Sequence, residues 1–230
     1  IVDEPTPDYY SHIRQMFDLI KEKSPSTQNM IPFNQEPEIG ELGKIDIYNM
    51  RYDRLNDELI QHTCNTKDQL WLYSCICPEK PYPGLMIRHS GVDNLLAGWL
   101  CWRFGATGFL YYETNIYLSP APLKQPIAWS SLGRNGHLGW GDGLLFYPGQ
   151  DCPIDTIRSE LLRLGFEDYE LFTILHKKKK KARLSGNPVD SEVEKILDLD
   201  EAIDWTNRYR RDSDYYEQKR MEVINAITSL

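Results

Sequence analysis

The chain has 230 residues, 41% of them hydrophobic and 26% charged, with a formal net charge of −8 at pH 7. That is ordinary globular composition with enough apolar mass for a sizeable core, so disorder is not the default. The acidic balance argues against nucleic acid, whose phosphates need a basic surface. No apolar run reaches the roughly 18 residues of a membrane span, so neither partner is expected.

The chain opens Ile1-Val2-Asp3-Glu4-Pro5, without initiator Met or signal peptide, as though entered in the middle of a strand. Thr6-Pro7-Asp8 reads as an N-cap, a first-turn proline and an acid at the positive end of a helix dipole. Tyr10, Ile13, Met16, Phe17 and Ile20 then recur at helical spacing, up to Ser24-Pro25. A short strand is expected at Asn29 to Phe33, another at Ile45 to Met50, a helix over Asp53 to Thr63, and an aromatic, β-branched strand over Gln69 to Cys77. Gly91 to Phe104 follows as a helix with Gly105 placed to cap it. Gly108 to Thr114 is strand-like, and Pro153 to Leu164 is an amphipathic helix closed by Gly165. The five lysines from Lys177 to Lys181 read as a solvated helix end or loop without function. From Asp190 onward the spacing of Ile196, Leu197, Ile203, Trp205, Tyr216, Val223, Ile224 and Ile227 reads as purely helical.

Strands alternating with helices predict parallel βαβ units in a doubly wound sheet or a closed barrel, and no glycine-rich phosphate loop follows any strand. A (β/α)8 TIM barrel needs about 250 residues. At about 30 residues per unit, residues 1–165 supply five strands, leaving about three units expected on the N-terminal side. The division expected is therefore 1–176 as the C-terminal part of a barrel and 177–230 as a helical extension on its wall. An open barrel exposes sheet edges, so activity is expected only in a longer chain. Five cysteines, Cys64, Cys75, Cys77, Cys101 and Cys152, show neither disulfide ladder nor zinc spacing and read as buried thiols; no cofactor or metal is expected.

Barrel enzymes place reacting groups where strands end, which singles out four places. Asp3 and Glu4 are neighbours and point to opposite faces of a regular strand, so both reach one substrate only if the backbone turns there, as Pro5 favours. Trp71 and Tyr73 alternate toward one face, where aromatic rings either stack on sugar C–H surfaces or pack a core. Tyr112, Glu113 and Asn115 follow a strand as an aromatic platform with groups able to bond hydroxyls. Asp142, between Gly141 and Gly143, either binds a hydroxyl or stabilises its loop.

Taken in order, DEP at Asp3 to Pro5, LWLYSC at Leu70 to Cys75, GWLCWRFGATGFLYYETNIY at Gly98 to Tyr117, GDGLLFYPG at Gly141 to Gly149 and IRSELLRLGFEDYE at Ile157 to Glu170 resemble glycoside hydrolase family 123 and relatives grouped as domain of unknown function 4091. The resemblance runs from Ile1 to about His176. It implies a β-N-acetylgalactosaminidase-like barrel, usually preceded by a β-sandwich domain, acting on a carbohydrate substrate by a retaining mechanism in which the sugar's own 2-acetamido oxygen is the nucleophile. Carried over, Asp3 would orient the acetamido group, and Glu4 would protonate the leaving oxygen and then activate water. Tyr73 and Tyr112 would wall the sugar pocket. Where relatives commonly show Trp after FLY, this sequence has Tyr112, which leaves the sugar open. A hydrolase of a glycan without the acetamido group and a non-catalytic carbohydrate-binding barrel are the alternatives.

Overall fold

The computed structural model describes residues 3–116, 141–186, 188 and 191–230. The expected strand at Ile1, the end of the fourth-strand motif at Tyr117 and the start of the C-terminal segment at Asp190 lie outside them. A 3-10 turn over Pro7–Tyr9 leads into α1 (Tyr10–Lys23); Thr6 makes no side-chain cap bond there, so the proline alone sets the entry. Then come β1 (Met30–Phe33), β2 (Ile47–Arg51), α2 (Asp57–Asn65), β3 (Gln69–Ser74), α3 (Gly91–Phe104) and β4 (Gly108–Tyr111). The four strands form one parallel sheet in the order β1-β2-β3-β4. This is an α/β fold consistent with part of an α/β barrel. Four of the five expected strands form this sheet, and the fifth, at Ile1, falls outside the described residues.

Period-two alternation divides the sheet. Ile31, Phe33, Tyr48, Met50, Leu70 and Leu72 face the helices and join Ile13, Phe17, Leu59, Leu96, Trp99 and Leu100 in the core. The register puts Pro32, Asn49, Arg51, Trp71 and Tyr73 together on the opposite face. Among them Asn49 is fully buried, with neither amide atom paired among the described residues.

Local chemistry explains most boundaries. Ser90 and Asp93 exchange hydrogen bonds as a capping box at the start of α3, and Gly105 ends it at φ +70°. The second helix begins later than Asp53 because that carboxylate is bonded to Arg51; Asn56 caps instead, accepting from the Leu59 amide at 2.9 Å.

The helix expected to close at Gly165 is 28 residues long. After a small antiparallel pair, β5 (Phe146–Tyr147) and β6 (Ile154–Asp155), α4 spans Ile157–Leu184. Its glycine is there for close approach: a Cβ on Gly165 would lie 2.0 Å from the Leu95 carbonyl oxygen, and one on Gly98 2.0 Å from the Gly165 carbonyl oxygen. The lysine run lies inside this helix, and Lys179 is buried, pairing with Glu194 at 2.8 Å. Of the cysteines, all free, only Cys101 is buried.

The C-terminal segment is not purely helical. Between α5 (Ser191–Leu197) and α6 (Ser213–Ser229) runs an antiparallel hairpin, β7 (Ile203–Trp205) and β8 (Arg208–Tyr209). The segment docks through two buried acids. Asp93 accepts from the Tyr209 hydroxyl, while Asp168 accepts from the Trp99 indole N–H at 2.8 Å and from Arg220. Tyr216 meets Trp99 edge to face at 4.8 Å.

Burial raises the Asp168 carboxyl pKa, and Arg220 and Trp99 oppose that rise. An acid whose pKa is raised by folding costs stability as pH climbs through that value, and more so without its cation. Arg220→Met is therefore expected to destabilise the fold by about 2 to 3 kcal/mol at about pH 7.5, less than for a fully enclosed pair because Arg220 keeps some solvent. The deficit should shrink at about pH 5, as read by urea titration at both values.

Candidate active site

Glu4 stands at the carboxyl-terminal rim of the sheet. Its backbone has φ +45°, in the left-handed region that a non-glycine residue seldom adopts, and this supplies the turn that the adjacent acids require. The side chain is half-buried and held from both sides. Asn34, just past β1, donates to Oε2 at 2.6 Å, and the Tyr73 hydroxyl at the end of β3 donates to Oε1. Gln35 fixes the following residue by donating to the Pro5 carbonyl at 2.9 Å. Burial and the bond to Glu4 push the Tyr73 phenol well above its usual pKa, so it remains a protonated donor at any working pH.

Asp3 is exposed and makes no hydrogen bond among the described residues, which leaves its carboxylate available to a ligand. Between Asn34 and Tyr73 lies the end of β2, where Arg51 is gripped by Asp53 through two bonds, Nε to Oδ1 at 2.6 Å and Nη2 to Oδ2 at 3.0 Å. Asn34, Arg51 and Asp53 are rim residues that the sequence reading does not single out. Their one available signal is that they are polar residues at strand ends.

None of the remaining expected residues bonds Glu4 among the described residues, although Asp142 and Glu4 both bear on the Cys75 thiol. Trp71 shares the face of Tyr73 but sits two residues deeper, with its indole N–H on Gln69 and its ring over Gly108, where a Cβ would come within 2.3 Å. It packs toward the amino-terminal end of the strands. Tyr112 is exposed on the loop after β4, as are Glu113 and Asn115. Asn115 forms an isolated antiparallel bridge with Leu144, and the Leu145 amide donates to the Thr114 carbonyl.

Asp142 is buried and accepts from the Tyr111 hydroxyl at 2.9 Å, from the helix-facing side of the sheet. Burial raises its carboxyl pKa, against the Tyr111 hydroxyl and the amides of Ile76 and Gly143. Its bonds to Tyr111 and to the Ile76 amide tie together the loops that follow β4 and β3. Beside it the Cys75 thiol is pushed up to about 11 by burial, which keeps it protonated and weakly nucleophilic.

Arg158, buried at the start of α4, completes that loop platform by donating to the backbone carbonyls of Leu85 at 2.7 Å, Gly141 at 2.9 Å, and Leu144. A cavity of about 390 Å³ also exists, but on the helical wall, lined by Val92, Leu95, Leu161, Leu164 and Tyr216 and by none of the rim residues.

A parallel sheet with its helices on one face and an acid held at the carboxyl ends of its strands is an α/β fold consistent with part of an α/β barrel, the architecture in which that rim is where reacting groups sit. The chain matches the model of the glycoside hydrolase 123 catalytic domain over residues 1–175, and it belongs to that family. Among solved structures, a family 123 glycoside hydrolase from Clostridium perfringens, whose structural analysis addressed glycolipid glycan hydrolysis, superposes with a TM-score of 0.67 at 15% identity. That likeness is one of fold; it covers 99% of this chain and 40% of the other. No protein of curated function matches the sequence.

Arg158→Met removes the side chain that these three carbonyls share. Each buried unsatisfied group costs about 1 to 3 kcal/mol, so a loss of about 3 kcal/mol or more is expected by urea titration. An unchanged midpoint would show that the platform does not depend on Arg158.

Proposed function

We propose that the chain is the catalytic part of a retaining exo-β-N-acetylhexosaminidase, β-N-acetylgalactosaminidase-like, that uses the substrate's 2-acetamido group as nucleophile. The observation that carries this reading is the Glu4 carboxyl, set at the strand ends next to an exposed Asp3 that makes no hydrogen bond among the described residues, in a family 123 catalytic domain. Asp3 accepts a hydrogen bond from the acetamido N–H and turns its carbonyl oxygen toward C1. Glu4 delivers a proton to the leaving oxygen as that carbonyl oxygen bonds C1 and the glycosidic bond breaks, giving an oxazolinium ion. Glu4 then takes a proton from water as the water oxygen attacks C1, and the acetamido group is restored with net retention.

Tyr73 and Asn34 serve this sequence by fixing both oxygens of Glu4. Each oxygen has a second lone pair on which to hold the travelling proton. A barrel completed by further βα units, with a β-sandwich domain beside it, fits this reading.

The test is release of the aryl group from an aryl N-acetyl-β-hexosaminide by the full-length protein. Glu4→Gln and Asp3→Asn are each expected to lower kcat/KM by about 10²- to 10⁴-fold, and a thiazoline mimic of the oxazolinium ion should bind the unsubstituted enzyme far more tightly than substrate does. Activity without tight binding of the mimic would favour a hydrolase that does not use the acetamido group. No release, or full activity in Glu4→Gln, would overturn the proposal.

Tyr73→Phe and Asn34→Ala each remove one hydrogen bond to a charged group, about 1.5 to 3 kcal/mol. Steady-state kinetics should show kcat falling about 10- to 100-fold with KM little changed.

A further inference from the structure

The parallel register pairs Arg51 with Tyr73, so their side chains leave the sheet on the same face, one strand apart. Glu4 reaches Asn34 beyond β1 on one side and Tyr73 on β3 on the other, and therefore lies across the end of β2, the strand that ends in Arg51. After Arg51 a 3-10 turn over Tyr52–Arg54 brings the Asp53 carboxylate back onto the guanidinium, fork to fork. Both side chains are largely buried, at 14% and 15% exposed. That geometry fixes the planar head and uses Nε and Nη2. The third nitrogen, Nη1, has no partner among the described residues, and it is not among their sealed, unpaired atoms.

We infer that Arg51 is a specificity-determining residue of the sugar pocket, donating from Nη1 to a hydroxyl of the sugar whose glycosidic bond Glu4 protonates, with Asp53 holding it in place. This rests on the hydrolase reading above and extends it to substrate class. Asp53 is shared with Arg54, whose Nε lies 3.3 Å from Oδ2, so the cluster keeps one net positive charge while holding the Arg51 head as a rigid donor for a sugar hydroxyl.

The experiment compares full-length enzyme with Arg51→Met, Arg51→Lys and Asp53→Asn on an aryl N-acetyl-β-galactosaminide and its 3-, 4- and 6-deoxy analogues. With a charge-assisted hydrogen bond at stake, Arg51→Met should lower kcat/KM about 10- to 100-fold on the parent sugar. One deoxy analogue should cost the unsubstituted enzyme a similar factor and cost Arg51→Met almost nothing further, because the bond is already gone. Arg51→Lys, which keeps the charge and lacks the fork, should lose the same discrimination. Asp53→Asn should raise KM while keeping the discrimination, since Nη1 remains.

If every analogue penalises Arg51→Met or Arg51→Lys by the same factors as the unsubstituted enzyme, the inference fails while the hydrolase stands. If the unsubstituted enzyme cleaves none of these sugars, the hydrolase reading itself fails, and this inference with it.

Discussion

A single carboxylate, gripped at both oxygens by side chains from different strand ends, organises the rim of this protein. Asn34 and Tyr73 meet Glu4 only because β1 and β3 flank β2 in a parallel sheet whose strands all end on the same side. The left-handed backbone at Glu4 carries a strain of about 1 to 3 kcal/mol. Two hydrogen bonds to a charged group are of the size needed to hold it there. The grip also separates the surroundings of the neighbouring acids. Glu4 is fixed and partly withdrawn from water, while Asp3 stays exposed and makes no hydrogen bond among the described residues.

Around that rim the protein uses buried ionic groups as anchors at loops and at its C-terminal segment. Arg158 gathers three carbonyls under the loops after β3 and β4, and Asp142 joins Tyr111 to the Ile76 amide. On the far side of the helices, Asp93 and Asp168 receive Tyr209 and Arg220 from the C-terminal segment. Each anchor leaves a charge that is costly to uncover, so loops and segments that lack a large apolar face are still held in one arrangement.

Much of this frame is legible in the sequence where the signals are local. Apolar spacing and the Gly105 cap place α3 at its observed ends, and the alternation of β3 puts Trp71 and Tyr73 on one face. Gly165 misleads because glycine marks a helix end or a close approach equally well, and only the Leu95 carbonyl beside it decides between them. The hairpin at Ile203–Tyr209 hides in a helical apolar spacing, although Ile203 and Trp205 stand at strand spacing with a turn-forming Asn207 between the arms. The hydrogen bonds that grip Glu4 are not legible, although the resemblance puts Tyr73 at the same pocket: Asn34 lies 30 residues away and Tyr73 lies 69, and neither bond has a local signature.

The central claim is that Glu4 supplies the proton to the leaving group, and leaving-group dependence measures this most directly. Protonation matters for an alkyl leaving group and hardly at all for dinitrophenolate, which departs as a stable anion. With Glu4→Ala in the full-length protein, kcat/KM should collapse on an alkyl N-acetyl-β-hexosaminide and remain comparatively high on the dinitrophenyl one. Equal losses on both would contradict the assignment.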